Sequence, residues 1–328
     1  MEKLLIYVVT YNHEKFIEKT LDRIDKKLFE NYETEILVND DSSKDDTLKI
    51  IKSIKDNFNE KGKFTILSNP KNLGYGGNQK IGYFYSIKNN YDYVALLHGD
   101  GQYAPEVLGD LLETLKKNKS QAVFGSRMIS KFGALKGGMP LYKFFGNKIL
   151  TFLQNKILKS NLSEFHSGYR LYDVRALKKI PFHLNSNDFS FDTEIIIQLL
   201  ISNQKISEIS IPTYYGEEIS YVNGLHYAYR IILESFKAYI QKYGIFYEKK
   251  YDLNEKENDY VFKKNFVSTH SVSLKKIKEN SSVLDIGCNQ GDLIEYLIEK
   301  KNCNVVGLDK NQIPSSSKIN EFISCDLN

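Results

Sequence analysis

The first hundred residues alternate between two textures. The runs LLIYVVT (4–10), TEILVND (34–40), KFTILSN (63–69) and YVALLH (93–98) are short, apolar and bounded by polar or glycine-rich residues. That length and boundary pattern predicts strands. Between them lie HEKFIEKTLDRIDKKLF (13–29), DTLKIIKSIKDNF (46–58) and GGNQKIGYFYSIKN (76–89), which read as helices. The alternation predicts an α/β fold, a mostly parallel sheet with helices on both faces. Such sheets bind ligands beyond the carboxyl ends of their strands.

Those strand ends carry the chemistry. The first closes on Thr10, Tyr11 and Asn12, and the second on Asp40, Asp41, Ser42 and Ser43. The third leads into Gly74, Gly76 and Gly77, and the fourth into His98-Gly99-Asp100-Gly101-Gln102. Asp and Ser before a helix are ordinary caps when taken singly. In succession along one edge they mark a ligand site, with Asp100 at its centre.

Later segments differ. Leu141, Phe144, Phe145, Ile149, Phe152, Leu153 and Ile157 form a helical apolar stripe flanked by Lys143, Lys148, Lys156 and Lys159, without an acid from Leu141 to Ser160. This pattern fits a helix lying in a lipid headgroup region, or a packing helix with solvated lysines. Residues 244–265 are charged and aperiodic and are expected to be a linker between a domain at 1–243 and a fragment at 266–328. The fragment repeats the strand, glycine turn, helix, strand rhythm.

Composition narrows the partners. A net charge of +4 over 328 residues, without a basic arm, gives no case for nucleic acid. The three cysteines, Cys288, Cys303 and Cys325, fit no zinc spacing and argue for a reducing compartment. No stretch approaches the roughly 18 apolar residues of a membrane span. The expected location is cytoplasmic, with room for peripheral contact with a membrane.

In order, VVTYNHEKFIEKTL, VNDDSSKDDT, NLGYGGNQKIG, HGDGQYAPE, FGSRM, SEFHSGYRLYDV and FDTEIIIQ resemble the family-2 glycosyltransferases of the GT-A fold over about residues 1–240. DGQYAPE, SRM and SGYR are most similar to polyprenyl-phosphate (dolichyl-phosphate) sugar synthases. The resemblance implies a nucleotide-diphosphate-sugar donor and a divalent cation, magnesium or manganese, that neutralises the departing diphosphate. It implies Asp100 as metal ligand with Gln102 assisting. His98 stands where the family has Asp, either as a nitrogen ligand that favours manganese or as a hydrogen-bonding neighbour. Thr10, Tyr11, Asn12, Asp41, Gly74, Lys80 and Arg127 fall at donor-binding positions, with Asp41 on the base and Lys80 and Arg127 near phosphates. Asp192 and Glu194 are candidates for the catalytic base, and Glu164, His166 and Arg170 belong to an acceptor-side loop. A phosphate acceptor, already ionised, needs no base.

VLDIGCNQG resembles the first motif of methyltransferases that use S-adenosylmethionine. The resemblance implies Asp285, Gly287, Gly291 and Asp309 as cofactor-side positions and Asp326 on the adenine side, with Asn289 replacing a glycine. Only about three strands of that fold are present, so cofactor binding is expected only of a complete domain. Three functions follow: transfer to a polyprenyl phosphate, transfer to a soluble hydroxyl, or an inactive sugar-nucleotide module serving a methyltransferase. Glu217 and Glu218 weigh against the lipid phosphate, because that region tends to be basic in the synthases.

Overall fold

The computed structural model describes residues 1–130, 132–215, 223–253, 262–289, 291–310 and 321–325. The chain divides into a unit at Met1–Asn254 and a unit at Glu255–Asn328.

In the first unit, β1 (Lys3–Thr10), β2 (Glu33–Asp40), β3 (Lys63–Ser68) and β4 (Tyr93–His98) fall where the apolar runs predict. They alternate with α1 (Ile17–Asp22), α2 (Lys27–Asn31), α3 (Thr47–Asp56) and α4 (Tyr75–Lys88). Then come α5 (Leu108–Asn118), β5 (Ala122–Ser126), α6 (Gly133–Lys136), α7 (Leu141–Leu158), β6 (Arg170–Asp173), α8 (Val174–Lys178), α9 (Phe191–Ile201), β7 (Ile206–Ser210) and α10 (Gly224–Gln241). The sheet order is β3-β2-β1-β4-β6-β5-β7. All pairs are parallel except those of β6, which runs antiparallel to both β4 and β5.

Period-two alternation divides each central strand between two cores. Leu4, Ile6 and Val8 of β1 face one cluster with Ile17, Leu21 and Leu111, while Leu5, Tyr7 and Val9 face another with Tyr83, Phe191 and Ile195. Both faces are therefore covered by helices, as a buried parallel sheet requires.

The single helix expected over 13–29 is two. The Asp25 carboxylate accepts from the Lys27 N–H (3.0 Å), a local bond that competes with helix continuation. The expected linker is also shorter at its start. Residues 249–251 form a turn on the first unit, where Tyr251 is buried and Lys250 bridges Glu194 and Glu234.

The second unit holds α11 (Thr269–Lys276), β8 (Ser282–Ile286), α12 (Asp292–Lys301), β9 (Asn304–Asp309) and β10 (Glu321–Ser324), with parallel order β10-β9-β8. Ile294, Leu297, Cys303 and Val305 form its small core. Leu284 and Ile286 of β8 stay exposed, so helices cover one sheet face among the described residues.

Gly82 of α4 packs directly on the Tyr7 ring of β1. A Cβ on Gly82 would lie 2.2 Å from the Tyr7 ring. Gly82→Ala is expected to lower stability by about 1–3 kcal/mol through overpacking, despite the better helix propensity of alanine. A urea midpoint at or above that of the parent would contradict this packing.

Candidate active site

Register brings the first strand ends together, pairing Thr10 with Asp40 and Val9 with His98. Asn12 holds a left-handed φ of 56°, a conformation Asn tolerates. Its N–H donates to Ser43 Oγ and its Oδ1 accepts from the Lys44 N–H, each at 2.8 Å, zipping the β1 and β2 loops together. Thr10 Oγ1 lies 3.2 Å from Nδ1 of His13, and burial holds the His13 imidazole down at about 4. Tyr11 is half-buried beside them.

Asp41 does something other than expected. Its carboxylate accepts from Asn69 Nδ2 (2.7 Å), Leu73 N–H (2.9 Å) and Gly74 N–H (3.1 Å). Most of its acceptor capacity is spent shaping the turn before α4. The neighbouring Asp40 is the less saturated acid: Ser43 N–H reaches Oδ2 at 3.2 Å, while Oδ1 is enclosed without a hydrogen-bond partner.

The glycine turn also differs from expectation. Gly76 and Gly77 N–H groups donate to the Asn187 carbonyl, at 2.8 and 3.3 Å. A Cβ on Gly74, whose φ is +80°, would lie 2.6 Å from that same oxygen. The turn is thus a socket for the loop before α9. Lys80 joins it, donating to the Asn185 carbonyl and to Asn187 Oδ1 (2.8 Å). It braces this loop.

Arg127 is likewise engaged. It forms a buried ion pair with Glu164 and donates to Tyr215 OH (3.0 Å) and the His166 carbonyl (3.0 Å). Burial alone would raise the Glu164 carboxyl, but Arg127 more than offsets this and holds it low.

Asp100 follows Gly99 and precedes Gly101, whose φ is +76°. A Cβ on Gly99 would meet Thr10 Oγ1 and Ile17 Cδ1 at 2.9 Å, so strand packing itself demands that glycine. Asp100 Oδ1 accepts from the Gln102 N–H (3.0 Å). Asp100 and Gln102 line a cavity of about 640 Å³ with Lys19, Arg23, Lys136 and Tyr215. No group of three or more His, Cys, Asp or Glu gathers among the described residues. The donor set of Asp100, His98 and Gln102 fits a cation that keeps most of its coordination for phosphate oxygens and water.

The two candidate bases are both sequestered. Asp192 accepts from Tyr75 OH (2.9 Å) and Gln79 Nε2 (3.1 Å) and pairs with Arg170 at 3.4 Å. Glu194 is fully buried, accepting from the Ser186 N–H (2.6 Å) and Lys250 Nζ (3.0 Å). Neither is exposed to an incoming acceptor. Motif reading does not single out Tyr75, which lies 117 positions from its partner Asp192.

A model of glycosyl transferase family 2 matches residues 5–181, more than half of the chain. The chain belongs to glycosyl transferase family 2. As a family-2 glycosyltransferase it is 27% identical over 228 residues to the UDP-N-acetylglucosamine–dolichyl-phosphate N-acetylglucosaminyltransferase of Methanococcus voltae, covering 66% of this chain and 88% of that protein. It is 24% identical over 214 residues to the undecaprenyl-phosphate mannosyltransferase of Micrococcus luteus, covering 64% and 82%. In fold it is similar to glucosyl-3-phosphoglycerate synthase from Mycobacterium tuberculosis, solved with Mn2+, UDP and glucosyl-3-phosphoglycerate. That match has a TM-score of 0.54 at 14% identity and covers 76% of this chain and 82% of that one. The GT-A expectation holds.

Residues 268–325 of the glycosyltransferase chain match the model of methionine biosynthesis protein MetW, as a methyltransferase-like fragment would. There Gly287 and Gly291 take positive φ, 76° and 85°, and Asp309 Oδ2 accepts from the Asn289 N–H at 2.7 Å. Burial, with Asp309 nearby, raises the Asp285 carboxyl. Asp326, Glu217 and Glu218 lie outside the described residues.

Burial also holds the His166 imidazole down at about 4. His13 and His166, ordinarily near 6.5, therefore bind protons more readily in the unfolded chain. Their contribution to stability is present above pH 6.5 and lost as pH falls toward 4. The melting temperature is expected to drop steadily over that window, and less steeply in a His13→Asn, His166→Asn double variant. An equal slope in the two proteins would refute these assignments.

Proposed function

We propose that the first unit transfers a sugar from a nucleotide diphosphate to a polyprenyl-phosphate-like acceptor at a membrane surface. The observation that carries this reading is α7, which is built inside out. It buries Phe144, Asn147, Thr151 and Gln154, whose spacing is helical and whose character is mostly polar. Asn147 donates to Glu164 (2.7 Å), and Gln154 donates to Ser235 of α10 (3.3 Å). The opposite face presents Leu141 (63% exposed), Phe145 (57%), Ile149 (59%) and Phe152 (64%). Leu225 (88%) and Tyr229 (65%) of α10 are also exposed.

A helix that hydrogen-bonds inward and shows aromatic and branched residues outward has its hydrophobic partner outside the molecule. Lys143, Lys148, Lys156 and Lys159 on the same helix select for anionic headgroups. No helix among the described residues is long and apolar enough to cross a membrane, so the contact would be peripheral. The dolichyl- and undecaprenyl-phosphate relatives support a lipid phosphate as acceptor. So does the sequestration of Asp192 and Glu194, because an ionised phosphate requires no proton acceptor.

On the donor side, Asp100 would hold a divalent cation with His98 and Gln102. The cation supplies positive charge to the leaving diphosphate.

Asp100→Asn keeps the size and removes the charge, so transfer in Mn2+ is expected to fall by about 100-fold or more, with the melting temperature little changed. Full activity in the variant, or in parent protein treated with chelator, would sink the metal role.

The membrane contact has its own test. The protein is expected to sediment with anionic vesicles at low salt and to be released at high salt, since lysine attraction is screened over about 8 to 10 Å. Phe145→Ser with Phe152→Ser should abolish sedimentation at nearly constant melting temperature, whereas Phe144→Ser should cost about 3–5 kcal/mol of stability. Sedimentation that survives the Phe145, Phe152 change would place the contact elsewhere.

A further inference from the structure

A chain of contacts links the metal-side strand end to the core. Tyr75 OH lies 3.2 Å from His98 Nε2 and 2.9 Å from Asp192 Oδ2. Asp192 Oδ1 accepts from Gln79 Nε2, and Oδ2 faces Arg170 as well as Tyr75. The chain crosses three elements: α4, the end of β4, and the start of α9.

We infer that Tyr75 is a positioning residue whose hydroxyl fixes His98 as the Nε2–H tautomer, leaving Nδ1 as a bare lone pair two residues from Asp100. The inference goes beyond the proposed function and is independent of the acceptor. It follows from counting protons. Asp192, paired with Arg170, can only accept, so the single hydroxyl proton of Tyr75 goes to it. The phenol oxygen is then left to accept, and the group facing it is His98 Nε2, which must carry a hydrogen. A neutral imidazole protonated there has an unprotonated Nδ1. Nδ1 has no hydrogen-bond partner among the described residues, and His98 closes β4 at the carboxyl edge of the sheet.

The surroundings hold this arrangement. Tyr103 meets the His98 ring edge-on at 5.0 Å, and Tyr75 meets it edge-on at 5.5 Å. Tyr75 stacks on Phe189 at 4.9 Å. Gly168 lies against the contact: a Cβ there would come within 2.6 Å of His98 Cε1 and 2.8 Å of Tyr75 Oη. Only glycine at 168 leaves room for both rings. What Nδ1 can bind is restricted accordingly, to a cation or a hydrogen-bond donor and never to another lone pair.

Nitrogen-detected magnetic resonance of the imidazoles in the full chain tests this, with His98→Asn assigning the signal. The parent is expected to show a pyridine-type Nδ1 and a pyrrole-type Nε2 at His98. Tyr75→Phe keeps the ring stack and removes the hydroxyl, so the two tautomers should mix and kcat should fall by about 10- to 100-fold, as for other supporting contacts around a metal site. Mg2+ alone and UDP alone, added separately, identify the partner by which of them shifts the Nδ1 resonance. An Nδ1–H tautomer in the parent, an unchanged signal in Tyr75→Phe, or an Nδ1 resonance indifferent to both additions would overturn the inference.

Discussion

A guanidinium buried in the middle of a seven-stranded sheet constrains everything around it. Arg170 sits on β6, the antiparallel strand between β4 and β5, and is fully buried. An unpaired charge there would be prohibitive, so its donors must all be met. They reach the Ser167, Phe165 and Asp192 carbonyls at 3.0, 3.2 and 2.9 Å, the Asp192 carboxylate at 3.4 Å, and the face of Phe124. Meeting them fixes the 165–167 loop, the start of α9 and, through Asp192, the side chains of Tyr75 and Gln79. Removing Asp192 would strand the charge, which is why this carboxylate reads first as architecture.

The donor side is organised on the same logic. The glycine turn before α4 gives its free N–H groups to Asn187, and Lys80 caps the same loop. Glu194 reaches back to the Ser186 N–H and outward to Lys250, which also pairs with Glu234 of α10. Loop, turn and the residues at 249–251 are thereby one hydrogen-bonded body. Among the described residues, few strand-end polar atoms are left without a hydrogen-bond partner, Asp40 Oδ1 being one.

The molecule also separates two kinds of apolar surface. The faces of the seven-stranded sheet are covered by helices on both sides, whereas α7 turns its polar residues inward and its apolar residues outward. Glu164 explains the inward face, since the buried carboxylate that balances Arg127 also needs Asn147. Once a polar interior is fixed, the remaining positions of an amphipathic helix point away from the core.

The sequence by itself determined the strands of the first unit, the class of the fold and the strand ends at which Asp40, Asp41 and Asp100 stand. Apolar runs of strand length, separated by helical periods, specify a covered parallel sheet because period and length are local properties. Motif order identified the family for the same reason, and the strand-end position of Asp100 followed from where β4 must stop. The tertiary structure alone decided what each polar group is bonded to. Asp41 and Asp40 are adjacent in sequence and equal in chemistry, yet only the fold of residues 69–74 spends one and leaves an oxygen of the other free. Lys80, Arg127, Asp192 and Glu194 read as free charges because Asn187, Glu164, Tyr75 and Lys250, which bind them in turn, lie between 37 and 117 positions away. The inversion of α7 was equally hidden: its stripe has the right period, but which stripe faces inward depends on a buried ion pair from other elements. Periodicity is written along the chain, whereas the satisfaction of buried charge is settled only when distant segments meet.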